Sequence, residues 1–348
     1  MSDLLRLEEV ESCLFCKTAG EQLYEALRDW LYGADGTWGI LRCPRCGLSW
    51  LTPRPVPEDI GRVYRHYWTH SQAEEPRILF GSLRRRVGLS LMAATPGYSS
   101  LANGSDWKYL ARFLRLFPPL REYWSLQLMA LEGEEKGRLL DVGCGNGEFL
   151  SRMEKAGWEV VGVEPDAVAA ETARSSRNLP VVTGTVEQAE FPDESFEAIT
   201  MHHVIEHVHD PVALLQECSR VLKVGGRLVI ATPNIESLGH RIFRRFWRGL
   251  EPPRHIYLFS LKTLAAAVCQ ANLRVKAAWT SGRAARFFYA ASRALKKSNR
   301  EYRPSDMTWR LRGECWFFRV REEFGLRANP TSGEELILIA TKTSREQA

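Results

Sequence analysis

The stretch Leu139-Leu-Asp-Val-Gly-Cys-Gly-Asn-Gly-Glu148 constrains this chain more than any other. An apolar run, three glycines at alternate positions and an immediate helix start describe a strand that turns into a helix. The sequence around it has the same grammar. From Lys136 onward, apolar runs at 139–142, 159–163, 181–182, 198–201 and 228–231 read as buried strands. Stretches of helical periodicity at 148–156, 166–176 and 211–222 lie between them. Strands alternating with helices imply a parallel α/β sheet covered on both faces. Two more strands, at 274–279 and 336–341, bring the sheet to seven.

Glycines 143, 145 and 147 are spaced G-x-G-x-G, whereas a dinucleotide site needs G-x-G-x-x-G. Glu148 occupies the position of the third glycine, so NAD is disfavoured. A carboxylate at a helix start repels a pyrophosphate and suits a ligand with a cationic amino group. Twenty-one residues after Gly143, at the end of the next strand, Glu164 can accept both hydroxyls of a ribose.

The 348 residues, 45% hydrophobic and 26% charged, fit roughly two domains at about 150 residues each. No run approaches the ~18 apolar residues of a membrane-spanning helix. The first dozen residues carry Asp3, Glu8, Glu9 and Glu11 against Arg6, the wrong charge for a secretory or transit leader. A cytoplasmic location is expected, and there paired cysteines are more often metal ligands than disulfides. Cys13-x-x-Cys16 and Cys43-x-x-Cys46 present two thiolates each, enough for a closed, structural zinc ribbon. Gly47 suits the positive φ at the end of the second turn. The run Thr52-Pro-Arg-Pro-Val-Pro marks a boundary. Segments are therefore set at 1–55 (ribbon), 56–135 (helical connector, with a basic cluster at Arg84, Arg85 and Arg86) and 136–348, the last interrupted by an insertion at about 280–333.

Residues 136–345 resemble the class I S-adenosylmethionine-dependent methyltransferases. The matching stretches are Leu-Asp-Val-Gly-Cys-Gly-Asn-Gly (140–147), Val-Glu-Pro (163–165), Phe-Pro-Asp-Glu-Ser-Phe (191–196), His-Val-Ile-Glu-His-Val (203–208) and Leu-Lys-Val-Gly-Gly-Arg-Leu (222–228). The whole chain resembles a bacterial group that joins a cysteine-rich zinc segment to this domain. Its signs are 46–55, Thr-Pro-Asn (232–234) and Pro-Pro-Arg-His-Ile-Tyr-Leu-Phe-Ser (252–260). The resemblance implies a doubly wound, Rossmann-like seven-stranded sheet with S-adenosylmethionine as cofactor. Asp141, Gly143 and Gly145 would hold its methionine part, Glu164 its ribose, and the segment with Thr185 and Val186 its adenine. Cys144, Pro165 and His202 are counted with them as cofactor contacts. Glu197, where relatives have Asp, is read as structural.

Methyl transfer to oxygen needs alignment and usually a base with a near-neutral pKa. His203 after the fourth strand and His255 after the fifth are the candidates, with Glu206 and His207 beside them. Three readings stay open for this group: substrate contact or base, packing (His207 above all), and a second divalent ion held by His203, Glu206 and His207. The last follows from relatives that methylate quinone precursors. Asp210-Pro211 reads as a helix N-cap and first turn.

Two stretches are basic. Residues 241–254 interleave five arginines with aromatic residues, and 283–312 holds nine basic residues against two acids. Arg283, Arg286, Arg293 and Lys297 share a helical stripe that could contact a membrane surface. The expected activity is methyl transfer to a small or carrier-linked acceptor, such as a glycan, nucleotide-sugar or lipid-linked intermediate. The alternatives are an RNA base methyltransferase and a non-catalytic binding module. Nucleic acid is disfavoured, because net charge is only +5 and residues 1–46 carry eight acids against five basic residues.

Overall fold

The apolar runs after Lys136 are strands of one seven-stranded mixed sheet in a computed structural model of the chain. The structure describes residues 5–64, 88, 90–93, 95–101, 113, 116–131 and 136–344. The strands are β1 (Leu7–Glu8), β2 (Glu21–Leu27), β3 (Trp38–Arg42), β4 (Ser49–Thr52), β5 (Arg54–Pro55), β6 (Arg138–Val142), β7 (Glu159–Glu164), β8 (Val181–Thr183), β9 (Phe196–His202), β10 (Leu222–Pro233), β11 (Tyr257–Leu258), β12 (Leu273–Ser281) and β13 (Glu335–Lys342). The α-helices are α1 (Pro118–Leu126), α2 (Glu148–Lys155), α3 (Ala167–Arg177), α4 (Pro211–Val221), α5 (Leu238–Phe243), α6 (Leu261–Gln270), α7 (Ala285–Ser298) and α8 (Trp309–Ala328). The large sheet has the order β12-β13-β10-β9-β6-β7-β8. β6 pairs in parallel with both β7 and β9, so strand order runs outward from it in both directions. Ligands of such sheets bind beyond the carboxyl ends of the strands at that reversal.

By packing, the chain divides into two units. One comprises residues 68–202, 217–229 and 341–348. Its core lies on both faces of β6 and β9, with Leu139, Leu140, Phe196, Ile199 and Met201 all fully buried. Strands covered on both sides read as unbroken apolar runs, which is why they stood out in the sequence. Asp166 caps α3 by accepting from Val168 N and Ala169 N. Glu197 accepts from Arg138 N and pairs with Lys223, a structural part.

The other unit comprises residues 1–67, 203–216 and 230–340. Here the N-terminal strands form an antiparallel sheet, β11-β4-β3-β2, whose edge strand comes from the far end of the chain. Tyr257 lies opposite Trp50, and Leu51 N donates to Ile256 O. The sequence signs at 46–55 and 252–260 are thus two strands of one sheet. Behind them Arg254, fully buried, is held by both carboxylate oxygens of Asp29 (2.7 and 2.8 Å) and by Glu251 at 3.1 Å. Arg248 also pairs with Glu251 inside the protein. Part of the basic stretch 241–254 is therefore an internal ion network rather than a surface. Asn234 of the Thr-Pro-Asn sign is buried too, donating to Thr331 O and Gly333 O. Asp210 caps α4 through Val212 N and Ala213 N. The insertion at 280–333 is a pair of packed helices, α7 and α8.

Packing thus groups the ribbon with later segments, where the sequence set a boundary near residue 55. Most of the 56–135 connector, including Arg84, Arg85 and Arg86, lies outside the described residues. Within it, α1 and a short 3-10 turn at Ile60–Tyr64 are described.

Candidate active site and cysteine centre

The glycine loop leaves β6 with left-handed backbone at Gly143, Gly145 and Gly147 (φ 69, 54 and 77°). These glycines do different work. A Cβ on Gly147 would meet Leu179 Cδ1 at 2.6 Å, so that glycine permits packing. A Cβ on Gly145 would meet nothing within 4 Å, so it borders open space where a ligand can approach the backbone. Gly145 N donates to Glu164 Oε2 at 2.8 Å, and Asp166 N to Glu164 Oε1 at 2.9 Å. Each carboxylate oxygen keeps a lone pair for a further donor, which fits a ribose diol. Burial raises the Glu164 carboxyl above its usual range. Asp141, also buried, accepts from Thr200 Oγ1 at 2.6 Å, and burial pushes its carboxyl up to about 7.

Other positions read from the sequence take varied places. Cys144 and Val186 are buried, Pro165 and His202 exposed. Thr185 exchanges hydrogen bonds with Gln188, closing its turn. Glu148, exposed, pairs with Arg152 of its own helix at 3.2 Å.

The second unit holds the histidines. His203 takes up left-handed backbone (φ 57°), and its two ring nitrogens bond Glu206 Oε1 and Glu335 Oε1, each at 3.1 Å. Glu206 Oε2 accepts from Thr232, and Glu335 is gripped twice by Arg283. Burial lowers the His203 pKa, but the two carboxylates outweigh it and raise it to about 9. The ring therefore carries its proton at neutral pH, with both N–H groups committed to carboxylates. The expected titration near the usual histidine value moves upward accordingly.

The segment after His203 is a single 3-10 turn, Ile205–His207. His207 Nδ1 meets Tyr64 Oη at 2.8 Å and Arg254 O at 3.1 Å. His255, only 5% exposed, donates from Nδ1 to Gly249 O at 2.7 Å, and burial lowers its pKa to about 4. It is a neutral ring packed edge-on to His207. His203, Glu206 and His207 do not form one close donor group among the described residues; His203 groups with His202 and Glu335. Donor atoms of Glu206, His207 and His255 instead lie within 4.8 Å of one another. Glu335, Arg283 and Thr232 were missed in the sequence. A Glu-Glu pair abutting a buried apolar strand was the available signal, since acids rarely enter such strands unpaired.

The four cysteines of the two C-x-x-C turns form one cluster, with Sγ atoms within 4.8 Å of one another. Cys13 and Cys46 approach to 3.5 Å, and Cys16 and Cys43 to 3.3 Å. A tetrahedral zinc with bonds of about 2.3 Å sets its sulfurs about 3.8 Å apart, so the donor set fits. The two turns match: Lys17 N donates to Cys13 O and Gly47 N to Cys43 O, with φ of 53° and 86°.

Residues 111–278 match the family model of a methyltransferase domain. A 37.1 kDa uncharacterized protein of transposon TN4556 from Streptomyces fradiae is 36% identical over 125 residues, covering 34% of this chain and 36% of that one. A ubiquinone biosynthesis O-methyltransferase from Alkalilimnicola ehrlichii is 37% identical over 123 residues, covering 33% of this chain and 49% of that one. The chain thus spans half or less of the length of these two curated relatives. Among solved structures, a SAM-dependent methyltransferase from Archaeoglobus fulgidus aligns over 68% of this chain and 100% of its own, with 21% identity and a TM-score of 0.44. Over residues 111–278, just under half of its length, the chain is therefore similar to methyltransferase domains.

Proposed function

We propose that the chain transfers the methyl group of S-adenosylmethionine to an oxygen of a small or carrier-linked acceptor, such as a glycan, nucleotide-sugar or lipid-linked intermediate. The observation that carries this reading is the open space at Gly145 beside Glu164. Relatives named as O-methyltransferases favour oxygen. The bound cofactor supplies a methyl already activated on a sulfonium. What remains for the protein is alignment and removal of the acceptor's hydroxyl proton. Glu164 would hold the ribose, and Asp141 with the backbone of Gly143 and Gly145 the methionine part.

His203 is the candidate for the acceptor's proton. Held near a pKa of about 9 by Glu206 and Glu335, it accepts one only after losing its own. Turnover should therefore rise with pH toward about 9, and His203→Ala should lower it roughly 100-fold without changing cofactor affinity. We infer that the four cysteines hold one structural zinc that steadies the N-terminal sheet. The deciding experiment incubates the full chain and radiolabelled cofactor with metabolite and cell-envelope extracts. Label appearing in an alkali-stable ether of a sugar- or lipid-containing product supports the reading. Label in RNA, or none, overturns it.

A further inference from the structure

Helix α8 has two apolar faces. Leu311, Cys315 and Phe318 are buried against the rest of its unit. On the opposite side Trp309, Trp316, Phe317 and Phe324 are 86, 64, 65 and 62% exposed. They recur at intervals of seven, one and seven residues, so they form one stripe over a helix about 30 Å long. Phe287 on the packed helix α7 is exposed as well. Four large aromatic rings facing water on one helix are a contiguous patch, not the scattered apolar residues of an ordinary surface.

Charge says what covers the patch. Residues 283–328 contain twelve Lys or Arg against five Asp or Glu. The acids are already engaged: Glu301 by Tyr32, Asp306 by Arg300, Glu314 by Arg293 and Arg310, and Glu323 by Arg319, while Glu322 is buried. Arg312 and Arg321, exposed on the two flanks of the stripe, form no ion pair among the described residues. Arg327 lies over the Phe324 ring at 5.3 Å. An aromatic centre with arginine margins is the arrangement of a helix lying in the headgroup layer. Trp and Phe enter the acyl boundary, and the guanidinium groups meet lipid phosphates. Among the described helices none is long and apolar enough to cross a membrane.

We propose that the outer face of α8 docks peripherally on an anionic phospholipid surface, Trp309, Trp316, Phe317 and Phe324 inserting and Arg312 and Arg321 pairing with headgroups. The proposal does not depend on which acceptor is methylated. The test is co-sedimentation of the full chain with phosphatidylcholine vesicles, with and without phosphatidylglycerol. Binding should require phosphatidylglycerol and weaken as salt rises. Trp316→Ser with Phe317→Ser should cut partitioning about tenfold or more at every salt concentration. Arg312→Glu with Arg321→Glu should cut it mainly at low salt. Both pairs are exposed, so unchanged circular dichroism and cofactor affinity separate lost docking from lost folding or a failed cofactor site. No sedimentation of the parent chain, or equal sedimentation of the aromatic variant, overturns the proposal. So does concentration-dependent dimerisation without vesicles that the aromatic variant abolishes, since the stripe would then be an interface between copies.

Discussion

The cofactor loop and the His203 cluster are both polar sites inside folded units, but they are built in opposite ways. The loop is local: Asp141, Gly145 and Glu164 lie within a single strand-helix-strand segment, and its key bonds run through backbone N–H groups. The cluster is assembled from side chains at 203, 206, 232, 283 and 335, drawn together only by the finished fold. A site made of backbone geometry leaves a mark in sequence, because only certain residues can take up its dihedral angles. A site made of distant side chains leaves only its separate parts, here His203 with Glu206 and the Glu334-Glu335 pair, and not their meeting.

That contrast can be broken at several points. The largest effect belongs to Gly145→Val, which places a branched side chain in the open space and on left-handed backbone. Cofactor binding should fall below detection in calorimetry while the domain stays folded; retained affinity would show that the ligand does not approach there. Losing the zinc should come next. The protein should carry one zinc per chain, and Cys43→Ser with Cys46→Ser should release it and lower Tm before any change in methyl-transfer chemistry. A metal-free chain of undiminished Tm would remove the ribbon.

Glu164→Ala should weaken S-adenosylmethionine by about 2–3 kcal/mol, the scale of a charge-assisted hydrogen-bonded group. An unchanged Kd would reassign the ribose contact. The smallest effect belongs to the cluster and concerns pH. His203 has a folded pKa of about 9, raised above an unfolded value near 6.5. Its contribution to stability is therefore complete below about pH 6.5 and lost as pH rises through about 9. Glu335→Gln should flatten that part of the stability curve measured in urea, leaving Glu206 and Arg283 as the charges facing the ring. A parallel decline in both proteins would mean that the imidazolium is not held as described.

Much of the fold was legible. All seven strands of the large sheet overlap runs read from the sequence; β6, β9 and β13 stood out because they are buried on both faces, whereas β12 is exposed at alternate positions and β10 begins six residues before its apolar run. The paired cysteines were legible because two thiolates on one tight turn have few other uses. The histidines were seen but their states were not. Nothing in the sequence near His203 announces Glu335, 132 positions away. Nothing near His255 announces that Gly249 O would fix its ring. Helix α8 was illegible for another reason. Its apolar residues fall on two opposite faces, so the periodicity that reveals an amphipathic helix cancels. The basic stripe that the sequence does show is partly spent inside the fold, where Arg283, just before α7, and Arg293 within it are bound to Glu335 and Glu314.

The pairing of β11 with β4 also sets a timetable. During synthesis, the two cysteine turns and strands β2 to β4 emerge early and can close on a metal. Their sheet then waits with an open edge for about two hundred residues. At about 5–20 residues per second that is roughly 10 to 40 s before Tyr257 and Leu258 arrive to cover it. An unpaired edge exposed for that long invites association with other nascent chains. Early metal capture would hold the waiting strands in register, so that metal supply during translation would set yield whatever the ion does in the finished protein.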